Sequence, residues 1–297
     1  MAITASQVNE LRQKTGAGMM DCKKALTEAD GDFEKAIEIL RKKGAAVAAK
    51  RADRSANEGI VLTKVTDDFK KAYMVEVNCE TDFVAKSTDF LNFANSVLET
   101  LTTKEPKNLE ELLSFDNLAN NLQDLIGKIG EKIEVSRFVI ESTDNGCVNE
   151  YVHHGSKLAI IVRADNLGNG DAEELKTLLR NVAMQVASMN PLVLYREEVP
   201  TDTLNKEIEI YKDLARKEGK PENILERIAT GKLEKYFEEN CLFEQVYVKD
   251  NTKKIKDLVS DFNKKYGTEV KLVKFYRYHL RSEERRVGKE CRSRSSP

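Results

Sequence analysis

The sequence has no tryptophan, and only three histidines, five cysteines and five prolines in 297 residues. Each scarcity excludes something. His153, His154 and His279 have no serine, cysteine or carboxylate partners at a recognisable catalytic spacing, so nucleophilic or hydrolytic chemistry is not expected. His153 and His154 are adjacent. In an extended segment they point to opposite faces with no third ligand nearby, so they read as turn or surface residues rather than metal ligands. The cysteines at 22, 79, 147, 241 and 291 are odd in number and show no C-x-x-C spacing, which points to free thiols in a reducing compartment. Neither G-x-x-x-x-G-K-[ST] nor G-x-G-x-x-G follows a strand pattern, so no phosphate cradle and no cofactor are expected. There is no membrane-length apolar run, and the stretch from Met1 shows neither an apolar h-region nor an Arg-rich transit pattern. The expected location is the cytoplasm, without a membrane partner. Charge of one sign is also missing. The 48 basic and 50 acidic groups leave a net charge of −2, which argues against direct nucleic-acid binding.

What is present is a chain long enough for two or three compact units, with 40% hydrophobic residues to fill their cores. Thr4 with Gln7 forms a capping-box start for a first helix, which Gly16 and Gly18 break. Cys22, Ala25, Leu26 and Ala29 recur at helical spacing, and Phe33, Ala36, Ile37 and Leu40 do so again before Gly44, predicting a three-helix bundle. Met19 and Met20 sit on the glycine turn "GAGMM". They can adapt to a partner's apolar groove or plug the bundle, and both readings stand. Ala45 to Gly59 is small, basic and weakly periodic, so it reads as a helix extension or linker with a solvated basic face.

From Ile60 the period becomes two. "IVLTKV", the turn "TDDF" and "KAYMVEVN" predict a hairpin. Phe90, Phe93, Val97 and Leu101 predict a helix capped by Thr88 or Asp89. Leu109, Leu112 and Leu113, then Leu122, Leu125 and Ile126, predict two more. "IEVSRFVIES", "CVNEYVHHG" and "KLAIIVRADN" read as three strands followed by a helix carrying Leu175, Leu178, Leu179, Val182, Val186 and Met189. Strands followed by a helix, twice, predict an internal duplication and an α+β class.

The expected units are a bundle with linker over 1–55, a first core subdomain over 56–141 and a second over 142–280. Within the second, residues 197–240 form a charge-rich antiparallel helical hairpin with apolar stripes at Ile208, Tyr211 and Ala215 and at Ile224, Ile228, Leu233 and Phe237. It has too little body to bury those faces, so association with a second copy is expected. Residues 281–297 abandon the patterning and carry six basic and three acidic groups. They read as a non-native cloning scar rather than as a basic RNA-binding tail, and are left out of the fold.

One corner stands out. "NCETDFVAK", residues 78–86, places Phe83 beside Asp82 where a chain turns through solvent. Asp82 can cap the following turn while Phe83 folds back into the sheet–helix seam. Alternatively, Phe83 is a wedge for a partner. The second copy has "ADNLG" where the first has "CETDF", so only one copy carries the device.

"ITASQVNELRQKTGAGMMDCKKALTEADGD", "VEVNCETDFVAK", "KIGEKI" and "HHGSKLAIIV" together resemble the elongation factor Ts family, bacterial guanine-nucleotide exchange factors without covalent chemistry. The resemblance spans residues 1–280. It implies a ubiquitin-associated-like bundle, two related subdomains and a hairpin used for homodimerisation. It further implies that Thr81, Asp82, Phe83 and Val84 enter the partner, elongation factor Tu, beside its nucleotide. Phe83 would intercalate between partner side chains, and Asp82 would disturb the network holding Mg²⁺. Partner contacts are likewise implied for Arg12, Met19, Met20 and Lys23, for Ile129 and Gly130, and for His154 with Gly155. An adaptor that docks through the bundle without exchange activity is the alternative of a different class. The family commonly continues past the last strand with a glycine-containing segment and a partner-gripping helix. The string after Leu280 departs from that pattern, and a missing helix would lower affinity for the partner without touching the wedge.

Overall fold

The computed structural model describes residues 3–51 and 53–280. The string from 281 onward, with Cys291, lies outside the described residues.

Helix α1 (Ala5–Thr15) starts as its capping box dictates: the Thr4 hydroxyl accepts the Gln7 N–H, and the Gln7 side chain accepts the Thr4 N–H. Gly16, at φ 66°, closes it in the left-handed conformation. Helices α2 (Met19–Glu28) and α3 (Phe33–Lys50) pack on it around Leu11, Cys22, Leu26 and Ala36, all of them buried. Of the two readings of the stretch from Ala45, the helix extension holds as far as Lys50, because α3 runs straight through Gly44. Gly44 is there for a close approach. A Cβ on it would lie 3.0 Å from the Gln123 carbonyl, and one on Gly127 would lie 3.1 Å from the Gly44 Cα. The two glycines let α3 cross the core helix that contains Gly127 almost backbone to backbone.

The core begins with the hairpin of β1 (Glu58–Val65) and β2 (Lys71–Cys79). Helices α4 (Asp82–Ala85), α5 (Thr88–Lys104), α6 (Leu109–Ser114) and α7 (Leu118–Ile129) follow, then β3 (Ile133–Ser142). The second half has β4 (Cys147–Val152), β5 (Leu158–Asp165) and α8 (Ala172–Met189). The hairpin helices α9 (Thr201–Lys217) and α10 (Glu222–Asn240) come next, then the short strands β6 (Val246–Tyr247) and β7 (Asp250–Lys254), α11 (Ile255–Tyr266) and β8 (Lys271–His279).

The sheets run β1-β2-β3 and β4-β5-β8, antiparallel throughout. This corrects the grouping of "IEVSRFVIES" with the next two strands. β3 pairs with β2, and the third strand of the second sheet is β8, from the chain end. A strand's own residues fix its period but not which distant strand it joins. The class is α+β, with N-terminal helices preceding a sheet-plus-helix core.

The two sheets stack face to face with helices outside. Along β2, Tyr73, Val75, Val77 and Cys79 face α5 and α7, while Ala72 and Met74 face the other sheet. Along β5, Leu158, Ile160, Val162 and Ala164 face α8 and α11, while Ala159 and Ile161 face the seam. Both central strands are buried on both sides, which period two permits only between two covering layers. Charged side chains also tie the seam. The fully buried Glu76 pairs with Arg137 at 2.7 Å, and Arg137 lies 3.9 Å over the Tyr278 ring. Glu141 accepts from Arg163 at 2.8 Å and from the Tyr276 hydroxyl at 2.6 Å.

The hairpin buries part of its own faces: Ala215, Leu225, Ala229 and Phe237 are covered within one chain, while Ile210 and Leu214 stay exposed. Cys22, Cys79, Cys147 and Cys241 are buried free thiols. None of the described helices is long and apolar enough to cross a membrane.

Candidate partner-binding site

The corner after β2 is a single helical turn. Thr81, not Asp82, caps it: its hydroxyl oxygen accepts the Val84 N–H at 3.4 Å. At about 100° per residue, a turn that buries Ala85 and leans Val84 on the core must aim Phe83 outward. Phe83 is 83% exposed, so it does not fold back into the sheet–helix seam. The following helix, α5, is capped by the Ser87 hydroxyl rather than by Thr88 or Asp89.

Asp82 takes a hydrogen bond from Lys86 Nζ at 2.9 Å. That bond, with the charges of Lys86 and Lys157, holds its carboxyl below the usual carboxylate range. Asp82 is therefore an anion beside an exposed ring.

Two carboxylates fix the corner from outside. Glu131 accepts both the Thr81 N–H, at 3.0 Å, and the Thr81 hydroxyl, at 2.8 Å. Glu80 accepts the Lys132 N–H at 2.6 Å and Arg54 Nη1 at 3.1 Å, with Arg51 at 3.5 Å. Its pKa is lowered, first by the Lys132 amide and then by the arginines. Beneath the turn, burial and the nearby Glu131 and Glu58 charges push the Cys79 thiol up to about 12, so it stays a neutral donor to the Thr81 carbonyl.

The other implied segments fall into two groups. Ile129 is half-buried against the first core, and Gly130, at φ 79°, ends α7 in the left-handed conformation. His153 and His154 lie exposed in the β4–β5 turn, where Gly155, at φ 84°, has open space around it. This turn leans on the first sheet through Lys157–Glu58 at 2.5 Å and Val61 N to Ser156 O at 2.7 Å. The residues Thr81–Val84, Ile129–Gly130 and His154–Gly155 thus gather at one end of the stacked sheets.

Arg12, Met19, Met20 and Lys23 are each exposed on the bundle, Met19 and Met20 at 52% and 63%. The methionines begin α2 rather than plug the bundle core. Lys128 connects the two groups. Its Cε lies 2.6 Å from where a Gly16 Cβ would sit, and its Nζ pairs with Asp89 at 2.8 Å. An open cleft of about 330 Å³, lined by Thr15, Asp89, Phe93, Asp124 and Lys128, runs along this junction.

Sequence reasoning missed Glu80, Glu131, Arg51, Arg54 and Lys128, and it took the basic linker for a solvated face. In the folded chain Arg51 and Arg54 pin the residue before Thr81. The available signal was a carboxylate directly before Thr81, at position 80, and another directly after Gly130, at position 131.

The arrangement sets an exposed ring on a braced turn and exposed thioethers on the bundle beside it. Comparison with known proteins covers nearly the whole length of the chain. A family model for Elongation factor TS matches residues 80–282, starting at the clamped Glu80. Elongation factor Ts of Chloroherpeton thalassium is 45% identical over 286 residues, covering 94% of this chain and 98% of the relative. That of Clostridium kluyveri is 45% identical over 283 residues, 93% of this chain and 92% of the relative. With a family model over more than half of its residues and relatives matched nearly end to end, this chain belongs to the elongation factor Ts family.

Proposed function

We propose that this translation elongation factor binds elongation factor Tu in its GDP form, displaces Mg²⁺ and speeds GDP release so that GTP can rebind. The observation that carries the reading is Phe83, an aromatic ring 83% exposed on a turn braced from two sides. An exposed ring on a loose loop would lose its binding energy to ordering; a braced one keeps it.

The partner grips its diphosphate with backbone amides and a lysine, and Mg²⁺ sits in a strict octahedron. A ring pushed beside that site, with the Asp82 anion next to it, disturbs several contacts at once. A factor that prefers the empty partner over the GDP form must weaken GDP binding in the same ratio, and incoming GTP expels it in turn.

Magnitude shows that Phe83 does not act alone. Burying one phenylalanine contributes about 1.5–3 kcal/mol, whereas a ten-thousandfold acceleration needs about 5.5 kcal/mol. Arg12, Met19, Met20 and Lys23, with Ile129, Gly130 and His154, supply the remaining contact area. The exposed Ile210 and Leu214 support association with a second copy through the hairpin. The place of action is the cytoplasm.

The exposed methionines would equally serve an adaptor that docks through the bundle and leaves GDP in place. One measurement separates the two: release of fluorescent GDP from the cognate elongation factor Tu, with the native protein, Phe83→Ala and Asp82→Ala. The exchange reading expects acceleration by the native chain and a large loss in each variant. Binding without acceleration would establish the adaptor, and equal acceleration by all three would remove the wedge.

A further inference from the structure

A turn of four residues does not stand by itself. Helix α4 is a single turn, entered by the bond from Ala85 N to Thr81 O at 3.2 Å and left by the one from Ser87 N to Val84 O at 2.9 Å. Nucleating a turn fixes several dihedral angles in exchange for one bond, so an isolated segment of this length is mostly unfolded in water. The Phe83 side chain contributes little packing because it faces solvent. Beyond the burial of Ala85 and the packing of Val84, what keeps the turn formed is its N-cap, Thr81.

Every polar group of Thr81 is occupied. Its carbonyl receives the Ala85 N–H and the Cys79 thiol, and its hydroxyl oxygen accepts the Val84 N–H. Its N–H and O–H both donate to the Glu131 carboxylate, at 3.0 and 2.8 Å. Glu131 is itself fixed in direction, because it follows Gly130, which ends α7 with its N–H on the Ile126 carbonyl. The counter-tie from Glu80 to the Lys132 N–H closes the pair, so residues 80–81 and 131–132 hold each other reciprocally.

We propose that Glu131 is a positioning residue: its carboxylate holds Thr81 so that the turn stays formed and Phe83 stays aimed outward. The proposal deepens the exchange reading and rests on it. Glu131 acts through Thr81 on Phe83. Its charge is not the working property; two hydrogen-bond contacts at fixed positions are. A glutamine can supply both, its carbonyl oxygen accepting the Thr81 N–H and its amide donating to the Thr81 hydroxyl oxygen.

The experiment compares the full chain with Glu131→Ala, Glu131→Gln, Phe83→Ala and the Phe83→Ala/Glu131→Ala double variant, measuring the maximal rate of GDP release from elongation factor Tu. Glu131→Ala is expected to be slower by about tenfold, the scale of losing the hydrogen bonds that hold Thr81. Glu131→Gln should stay close to the native rate. The double variant should be no slower than Phe83→Ala alone, because without the ring there is nothing left to aim. Additive losses, a native rate for Glu131→Ala, or a Gln variant as slow as Ala would each overturn the proposal.

A second readout needs no partner. Amide hydrogen exchange over residues 81–85 should quicken in Glu131→Ala while the strands of both sheets keep their protection. Should the native chain fail to release GDP, the exchange reading falls, and this measurement alone decides the clamp: quickened exchange supports it, unchanged exchange overturns it.

Discussion

The corners that follow β2 and β5 occupy the same place in two related sheets. Each strand is the middle one of three, paired to its hairpin neighbour on one side and to a later strand on the other. Each later pairing carries a register shift, at Glu76/Val77 in the first sheet and at Arg163/Ala164 in the second. The corners then diverge. After β5, Asn166 and Gly168 turn in the left-handed region and Leu167 packs back against the second core. Its N–H bonds to the Asn145 carbonyl at 2.9 Å, and Asp171 caps α8. After β2, the clamped Thr81 starts a helical turn and Phe83 faces water. One topology thus accommodates an inward or an outward apolar side chain. The outward one is set by local cap and clamp contacts, not by the sheet.

The strongest test of that contrast crosses the two residues. Phe83→Ala should slow GDP release by about tenfold to a hundredfold, matching the roughly 1.5–3 kcal/mol of a buried phenylalanine. It should move folding stability by no more than about 0.5 kcal/mol, as exposed substitutions do. Leu167→Ala should do the reverse, lowering stability by about 1–2 kcal/mol and leaving release alone. Urea unfolding and nucleotide-release kinetics on the two variants check both halves. A loss of stability in Phe83→Ala equal to that in Leu167→Ala would mean that the ring packs against its own chain.

The two halves also differ in what they carry. The bundle is docked on α7 of the first half, through the Gly44–Gly127 crossing, Arg41–Asp124 at 3.7 Å and the Gly16–Lys128 contact. Gly127→Leu places a side chain where the Gly44 Cα stands 3.1 Å from a Cβ, so α3 must move away. Overpacking of this kind costs about 1–3 kcal/mol. It should also separate Met19 and Met20 from the Phe83 corner. In the native chain Met20→Ala should weaken partner binding, whereas on the Gly127→Leu background the same change should matter less. Calorimetric titration of the four proteins gives the coupling. An undiminished Met20 effect would show that the crossing does not set the bundle's position.

Much of this arrangement was readable in the residues. The Thr4–Gln7 box, the period-two stretches and the apolar stripes each specify a local structure by local chemistry, and they fell where their spacing put them. The failures share one cause, a partner distant in sequence. The role of Gly44 was not readable because its reason, Gly127, is on another helix. "IEVSRFVIES" was recognisable as a strand, yet its pairing with β2 rather than with β4 depends on helices and loops between them. Arg51 and Arg54 read as solvated charges because their common partner, Glu80, comes after a whole hairpin. At the corner itself, the outward ring was visible as an oddity. The clamp that holds it was not, since Glu131 meets Thr81 across fifty positions of chain.

The smallest effect concerns the seam that both halves share. Glu150 on β4 lies on the same face as Val148, toward the first sheet, and one carboxylate oxygen, Oε2, is buried without a hydrogen-bond partner. Burial raises its pKa above the ordinary 4.5, opposed only in part by a hydrogen bond from Thr63 and the charge of Arg180. An acid whose folded pKa is raised binds its proton more tightly in the native state. The stability it permits is therefore fully present below the ordinary value and is lost as pH rises through the raised one. Glu150→Gln removes the charge and should stabilise the fold at neutral pH by about 1 kcal/mol, the scale of one unpaired buried polar atom. The gain should shrink toward zero as pH falls below the ordinary carboxyl range. Thermal melts of both proteins from acid to neutral pH give the difference directly, and a gain that persists unchanged in acid would place the burden on packing rather than on ionisation.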